Sequence, residues 1–119
     1  MENIDAAVAV LLGGRMIMYK TITTARGFTY NYLSVTPCDN KPTLLFMHGF
    51  PDTSHGWYHQ IDYFQSKGYG LIVPDMLGYG GTEKPTDPAA FLLTSIAQDM
   101  INIIDAEEVP KAYAIAHDW

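Results

Sequence analysis

Hydrophobic and polar positions along this chain fall into short blocks whose period changes in a readable order. Residues 16–23 (MIMYKTIT) are rich in β-branched and aromatic side chains and predict a strand. Arg26-Gly27 supplies a turn, and residues 28–35 (FTYNYLSV) alternate large and polar side chains, so the two blocks predict a β-hairpin. Residues 37–42 form a polar loop between two prolines. Residues 43–47 (TLLFM) are then continuously apolar, as expected of a strand buried on both faces of a parallel sheet.

From residue 53 to 67 the period becomes helical. Trp57, Ile61 and Phe64 share one face, while His59, Asp62 and Gln65 fall elsewhere. Gly68 is placed to stop that helix. Residues 69–73 (YGLIV) predict a second buried strand, closed by Pro74-Asp75 and followed by a glycine-rich loop over 76–88. A second helix is predicted over 91–106, with Leu92, Ile96, Met100 and Ile103 on one face, and residues 111–116 (KAYAIA) predict a last strand. The order β-β-β-α-β-α-β is α/β architecture: an antiparallel hairpin followed by parallel β-α units in a largely parallel sheet.

Residues 1–15 are expected to be a lead-in, amphipathic or irregular. The apolar stretch at 6–12 (AAVAVLL) is far shorter than the roughly 20 residues of a membrane span. Glu2 and Asp5 precede it where a signal peptide would carry a positive charge. Residues 16–119 are expected to form one partial domain. A parallel strand needs cover on both faces, yet only two helices are predicted. The chain is therefore expected to be the front part of a larger domain, completed by residues beyond 119 or by a separate polypeptide.

Charge and composition narrow the function classes. With 7 basic and 13 acidic residues the formal net charge is −6, which offers no basic face to nucleic acid or to an anionic membrane. The single cysteine, Cys38, excludes an internal disulfide and every multi-cysteine metal or redox motif, and points to a reducing, cytoplasmic compartment. A peroxisomal signal would lie at a C-terminus and is left open. No cofactor is expected, and a homodimer is left open.

Three loops follow the carboxyl ends of predicted parallel strands: His48-Gly49-Phe50-Pro51-Asp52, Pro74 to Thr82, and His117-Asp118-Trp119. All three should lie on one rim of the sheet. A short apolar strand stopping at His-Asp-Trp is the sequence form of a sharp strand-to-helix turn that lifts one side chain above the sheet. Serine is the usual residue there; here it is Asp118. A carboxylate is ionised at pH 7 without a base, attacks an electrophilic carbon directly and forms an ester. Water must then attack the carboxyl carbon, and the resulting oxyanion needs backbone N–H donors, for which Phe50 and Trp119 are placed.

Together, His48-Gly-Phe-Pro51, the run Pro74-Asp-Met-Leu-Gly-Tyr-Gly-Gly-Thr-Glu-Lys-Pro85 and His117-Asp-Trp119 resemble the N-terminal half of an epoxide hydrolase of the α/β-hydrolase fold. The likeness is greatest to the soluble fungal-type enzymes. It implies hydrolysis of a small-molecule epoxide to a vicinal diol, a detoxification chemistry. Asp118 is implied as nucleophile and the Phe50 and Trp119 amides as the oxyanion hole. His48, Gly49 and Pro51 would shape the first loop, with Phe50–Pro51 cis, and His117 would precede the nucleophile. The family commonly has glycine where Ala116 stands, a local departure. The resemblance further implies that the catalytic histidine, its partner acid and the two lid tyrosines lie beyond residue 119. Tyr79 and Tyr113 therefore carry no lid role, and the chain alone is expected to turn nothing over.

Other readings compete with these. A haloalkane or haloacid dehalogenase would use the same nucleophile, but Phe50 lacks the halide-binding donor of the first and Trp119 replaces the arginine of the second. A serine triad finds no serine at the turn. A non-catalytic fragment acting only by association through an open sheet edge is a different class of outcome. His55 and His59, one helical turn apart, are a weak metal signal without a supporting carboxylate, and His117 has no companion ligands. Gly78 to Gly81 lacks the spacing and the lysine-serine ending of a phosphate loop. Asp75 is expected to tie its loop through backbone amides, residues 105–108 to be a solvated helix end, and Cys38 to be a bystander.

Overall fold

The chain is described by a computed structural model covering residues 9–12, 15–38 and 40–118. Its strands are β1 (Ala9–Leu12), β2 (Arg15–Thr23), β3 (Thr29–Val35), β4 (Thr43–Met47), β5 (Gly70–Pro74) and β6 (Ala112–Ala116). Its helices are α1 (Tyr58–Ser66) and α2 (Leu93–Ala106), each preceded by a 3₁₀ turn, Ser54–Trp57 and Pro88–Phe91. One sheet runs in the order β1-β2-β3-β5-β4-β6.

The expected hairpin is present, with Ile17 opposite Val35 and Thr23 opposite Thr29. It joins the rest of the sheet through a further antiparallel ladder, β3 on β5. Parallel pairing is confined to β5-β4-β6, where Leu44 lies between Leu71 and Tyr113. Two short apolar strands thus flank β4, and all three end on the same side. Ala9–Leu12, expected to be amphipathic or irregular, is instead an edge strand antiparallel to β2, with Ala9 opposite Met18. The ladder supplies backbone partners that a seven-residue apolar run cannot supply alone.

Alternation explains why the inner strands read as continuous apolar runs. Leu45 and Ile72 join Ile22, Tyr30, Tyr32, Met100 and Ile103 on the face covered by α2. Their neighbours Leu44, Phe46, Leu71 and Val73 join Leu33 and Val35 on the other face, against Trp57, Ile61 and Phe64 of the α1 segment. Each fully buried side chain of this size contributes about 1.5–3 kcal/mol of transfer free energy. Phe46 also lies between Trp57 and Phe64, its ring tilted 40° to each, with ring centroids at 4.9 and 6.0 Å.

The helix expected over 53–67 divides into a 3₁₀ turn and α1. Thr53 caps the turn, its hydroxyl accepting from the His55 amide at 3.2 Å. Gly68 stops α1 in the left-handed region, at φ +91°. The second helix begins two residues later than expected, because Leu92 is extended (ψ 133°) between the 3₁₀ turn and α2. The end of α2 is a correction. Glu107, expected in a solvated stretch, accepts from Lys20 at 3.0 Å, from the Ser34 hydroxyl at 2.8 Å and from the Tyr32 hydroxyl. It ties the helix to β2 and β3.

Candidate active site

The carboxyl ends of β4, β5 and β6 carry the three loops singled out in the sequence, so His48, Gly49, Phe50, Pro51, His117 and Asp118 share one rim. Trp119 lies outside the described residues, and with it the second expected amide donor.

At the end of β6 the chain turns abruptly. The His117 amide still donates to the Met47 carbonyl at 3.2 Å, but Asp118 takes φ +73°, a left-handed conformation uncommon for a residue with a Cβ. This turn presses Asp118 against the loop after β4. A Cβ on Gly49 would collide with the Asp118 Cβ and stand 2.8 Å from the His117 carbonyl, so only glycine fits there. The next residue, Phe50, donates its amide to Asp118 Oδ2 at 3.1 Å. Its own ring is 71% exposed, and the Phe50–Pro51 bond is cis.

His48 holds the same peptide from behind. Its Nε2 accepts from the Met76 amide at 2.9 Å, which leaves the proton on Nδ1, and Nδ1 lies 2.8 Å from the Gly49 carbonyl. That carbonyl and the Phe50 amide belong to one peptide unit. The hydrogen bonds therefore run in one sense, from Met76 through His48 to Phe50 and on to the carboxylate, and each polarises the next. Tyr79 packs its ring edgewise on His48 at 5.2 Å. Both ring nitrogens of His48 are thus engaged.

Asp75 is the anchor of the glycine-rich loop. Buried, it accepts from the Ser54 amide at 2.8 Å, the Gly81 amide at 3.0 Å and the Asn31 carboxamide at 3.1 Å, while the Thr82 hydroxyl donates to its carbonyl at 2.6 Å. Burial pushes its carboxyl up, but the Gly81 and Ser54 amides with Asn31 outweigh it and hold the group below the usual range. Gly80, at φ +53°, leaves room for that carboxylate; a Cβ there would stand 2.5 Å from Asp75 Oδ2. The loop reading of Gly78 to Gly81 and Asp75 matches this geometry.

These loops and the start of α2 enclose a cleft of about 400 Å³ that opens onto Asp118. Met47, Met76, Phe91, Leu93, Ile96 and Met100 give it an apolar wall, with Asp118 and His117 among its few polar groups. A carboxylate with one oxygen fixed by a backbone amide beside an apolar cleft is equipped to attack an uncharged electrophile. His55 and His59 sit in the α1 segment, and among the described residues no three of His, Cys, Asp and Glu converge to hold a metal ion. No helix among them is long and apolar enough to cross a membrane.

Residue-by-residue inspection of the sequence missed Asn31, Ser54 and Thr82 as partners of Asp75, and the pair Arg26–Asp99 beneath α2. Asn31, Ser54 and Thr82 give no periodic signal. Asp99 does: three residues after Ile96 and four before Ile103, it is a charge placed within an apolar helical stripe.

Residues 42–119 match the family model described as alpha/beta hydrolase fold. A protein named epoxide hydrolase from Caballeronia sordidicola is 40% identical over 87 residues, 73% of this chain and 26% of its own. A Neurospora crassa epoxide hydrolase is 36% identical over 109 residues, 85% of this chain and 31% of its own. The crystal structure of an epoxide hydrolase from Vigna radiata superposes with a TM-score of 0.77 at 32% identity, covering 87% of this chain and 32% of that one. The chain thus spans about a quarter to a third of the length of the curated relatives it matches. On the sheet order, the left-handed turn at Asp118 and these matches together, the chain belongs to the alpha/beta-hydrolase fold family, with epoxide hydrolases among its relatives.

Proposed function

We propose that the full-length protein carrying this chain hydrolyses epoxides to vicinal diols through a covalent ester on Asp118. The observation that carries this is the Phe50 amide on Asp118 Oδ2, 3.1 Å away, at a left-handed strand end beside an apolar cleft. With Oδ2 held, Oδ1 is the attacking oxygen. It forms a bond to an epoxide carbon, the carbon–oxygen bond of the ring breaks, and the alkoxide takes a proton from an acid. Water then attacks the Asp118 carboxyl carbon, the oxyanion forms on Oδ2 against the Phe50 amide, and the ester breaks to release the diol. The Trp119 amide is assigned as the second donor by the resemblance.

The water-activating histidine, its partner acid and the proton donors to the epoxide oxygen are assigned by the same resemblance to the part of the protein beyond residue 119. We therefore infer that this chain alone is inactive. The similarity to proteins named epoxide hydrolases supports an epoxide as substrate. The phenyl ring of Phe50, which offers no hydrogen-bond donor to a leaving halide, supports an epoxide over a haloalkane. The free thiol of Cys38 suits a cytoplasmic setting.

The test is kinetic. In the full-length protein Asp118→Ala is expected to lower diol formation from an aryl epoxide by about 10⁴-fold or more, with the fold unchanged by circular dichroism. Full activity in that variant would overturn the assignment. Halide release from a chloroalkane without diol formation from any epoxide would replace it with dehalogenation.

A further inference from the structure

Arg26, in the turn between β2 and β3, binds at once to α2 and to the 3₁₀ turn before it, the two segments that carry Phe91, Leu93, Ile96 and Met100 of the cleft lining. Its Nε donates to Asp99 Oδ1 at 2.9 Å and its Nη2 to Asp99 Oδ2 at 2.6 Å. Its Nη1 donates to the Ala90 carbonyl at 2.9 Å. Asp99, in the middle of α2, is only 1% exposed and also accepts from the Tyr30 hydroxyl at 2.6 Å. A guanidinium suits this geometry: one edge of its planar fork takes both carboxylate oxygens and a further N–H is left for the separate carbonyl, an arrangement that the compact ammonium of lysine does not preorganise. The Ala25 amide adds a contact to Asn102 Oδ1 at 2.9 Å.

The Ala90 carbonyl is the last one before Phe91. Phe91 ends the 3₁₀ turn and lays its ring where Gly78 has no Cβ; a carbon there would stand 3.1 Å from Phe91 Cε1. Phe91 and Leu93 line the same cleft as Phe50, Tyr79 and Asp118. Between them Leu92 is extended, so the wall here is a short 3₁₀ segment and not continuous helix. Its position depends on what holds Ala90.

We propose that Arg26 is a positioning residue for substrate selection: by tying Asp99 to the Ala90 carbonyl it fixes Phe91 and Leu93, and so sets the size of the apolar substituent the cleft accepts. This rests on the epoxide-hydrolase assignment for its kinetic readout. Arg26 neither bonds Asp118 nor lines the cleft, and its effect belongs in KM for bulky substrates and not in the chemical step.

The experiment uses the full-length protein with Arg26→Lys, which keeps the charge on Asp99 but loses the fork, and Arg26→Met. For styrene oxide, KM in Arg26→Lys is expected to rise about fivefold with kcat within about twofold, while kcat/KM for propylene oxide stays within about twofold. Phe91→Ala should reproduce this change in selectivity, and the double variant should add little to it. Arg26→Met should show the same split if it folds; Arg26→Lys carries the test if it does not. A parallel loss for both epoxides would mark a merely structural residue and overturn the proposal, as would unchanged constants. If the protein proves inactive on all epoxides, the assignment of function fails separately. Titration with 1-phenylethane-1,2-diol, followed by the aromatic NMR signals of Phe91, still reads the wall. Weaker binding in Arg26→Lys supports the clamp, and equal binding overturns it.

Discussion

Gly49 is the residue on which the turn at the end of β6 closes. The obstacles to a Cβ there are the Asp118 Cβ and the His117 carbonyl, and neither can swing aside as the end of a long side chain can. Gly49→Ala is therefore expected to cost about 2 kcal/mol or more of stability, read from urea unfolding of the full-length protein. A neutral result would mean that the two loops do not approach as closely as described. Asp75 makes a second test at this scale. Its carboxyl is held below the ordinary value near 3.9, so the folded state binds fewer protons than the unfolded one in that range. The stability it contributes is present above the unfolded value and is lost as pH falls through the folded one. Glu107 has the same sign: burial raises its carboxyl, but Tyr32, Ser34 and Lys20 outweigh it. Asp75→Asn should cost about 1.5–3 kcal/mol at neutral pH and flatten, without abolishing, the loss of stability below pH 4. An unchanged acid limb would show that the Asp75 hydrogen bonds do not favour its ionised form.

Helix α2 shows where periodicity informs and where it does not. Of the face read from spacing through Leu92, Ile96, Met100 and Ile103, Met100 and Ile103 are buried as that face requires, whereas Leu92 stands extended before α2 and is exposed. The partners of Asp99 and Glu107 were not legible, although both residues fall on or beside that face, because a helical pattern says which side is inward without saying which distant residues wait there. Arg26 and Tyr30 reach Asp99 across 73 and 69 positions of sequence. The same limit hid β1: an apolar stretch of that length becomes a strand only through a partner, and its partner was visible only as another strand. The inner strands gave the opposite case, since apolar runs that face α1 and α2 alternately have few other uses. Tyr30→Phe removes one donor to the buried Asp99 while Arg26 still pairs with it. It is expected to cost about 1–2 kcal/mol. Asp99→Ala strands the Arg26 fork and the Tyr30 hydroxyl together and is expected to cost about 3–5 kcal/mol. If both variants unfolded at the same urea concentration as the parent, the network would be stability-neutral.

At the scale of the molecule, parallel pairing of β5, β4 and β6 is what turns three separate motifs into one rim. His48 and Asp118 are 70 positions apart in the chain, yet β4 and β6 run side by side with Met47 opposite Ala116, so their following residues must meet. That much was legible, because short apolar strands separated by helices leave right-handed parallel crossovers as the ordinary solution. The hydrogen-bond relay through His48 and the Asp75 network were not, since each depends on where loop amides point. The covalent assignment is tested most directly by a single-turnover reaction of the full-length protein with excess enzyme in ¹⁸O water, followed by mass analysis of the diol and of the peptide containing Asp118. Attack of water on the ester carbon leaves the new oxygen on Asp118 and sends an original carboxylate oxygen out with the product. The expected result is a labelled Asp118 peptide and an unlabelled diol. A labelled diol with an unlabelled Asp118 would mean that water opens the epoxide directly, and the carboxylate would lose its place as nucleophile.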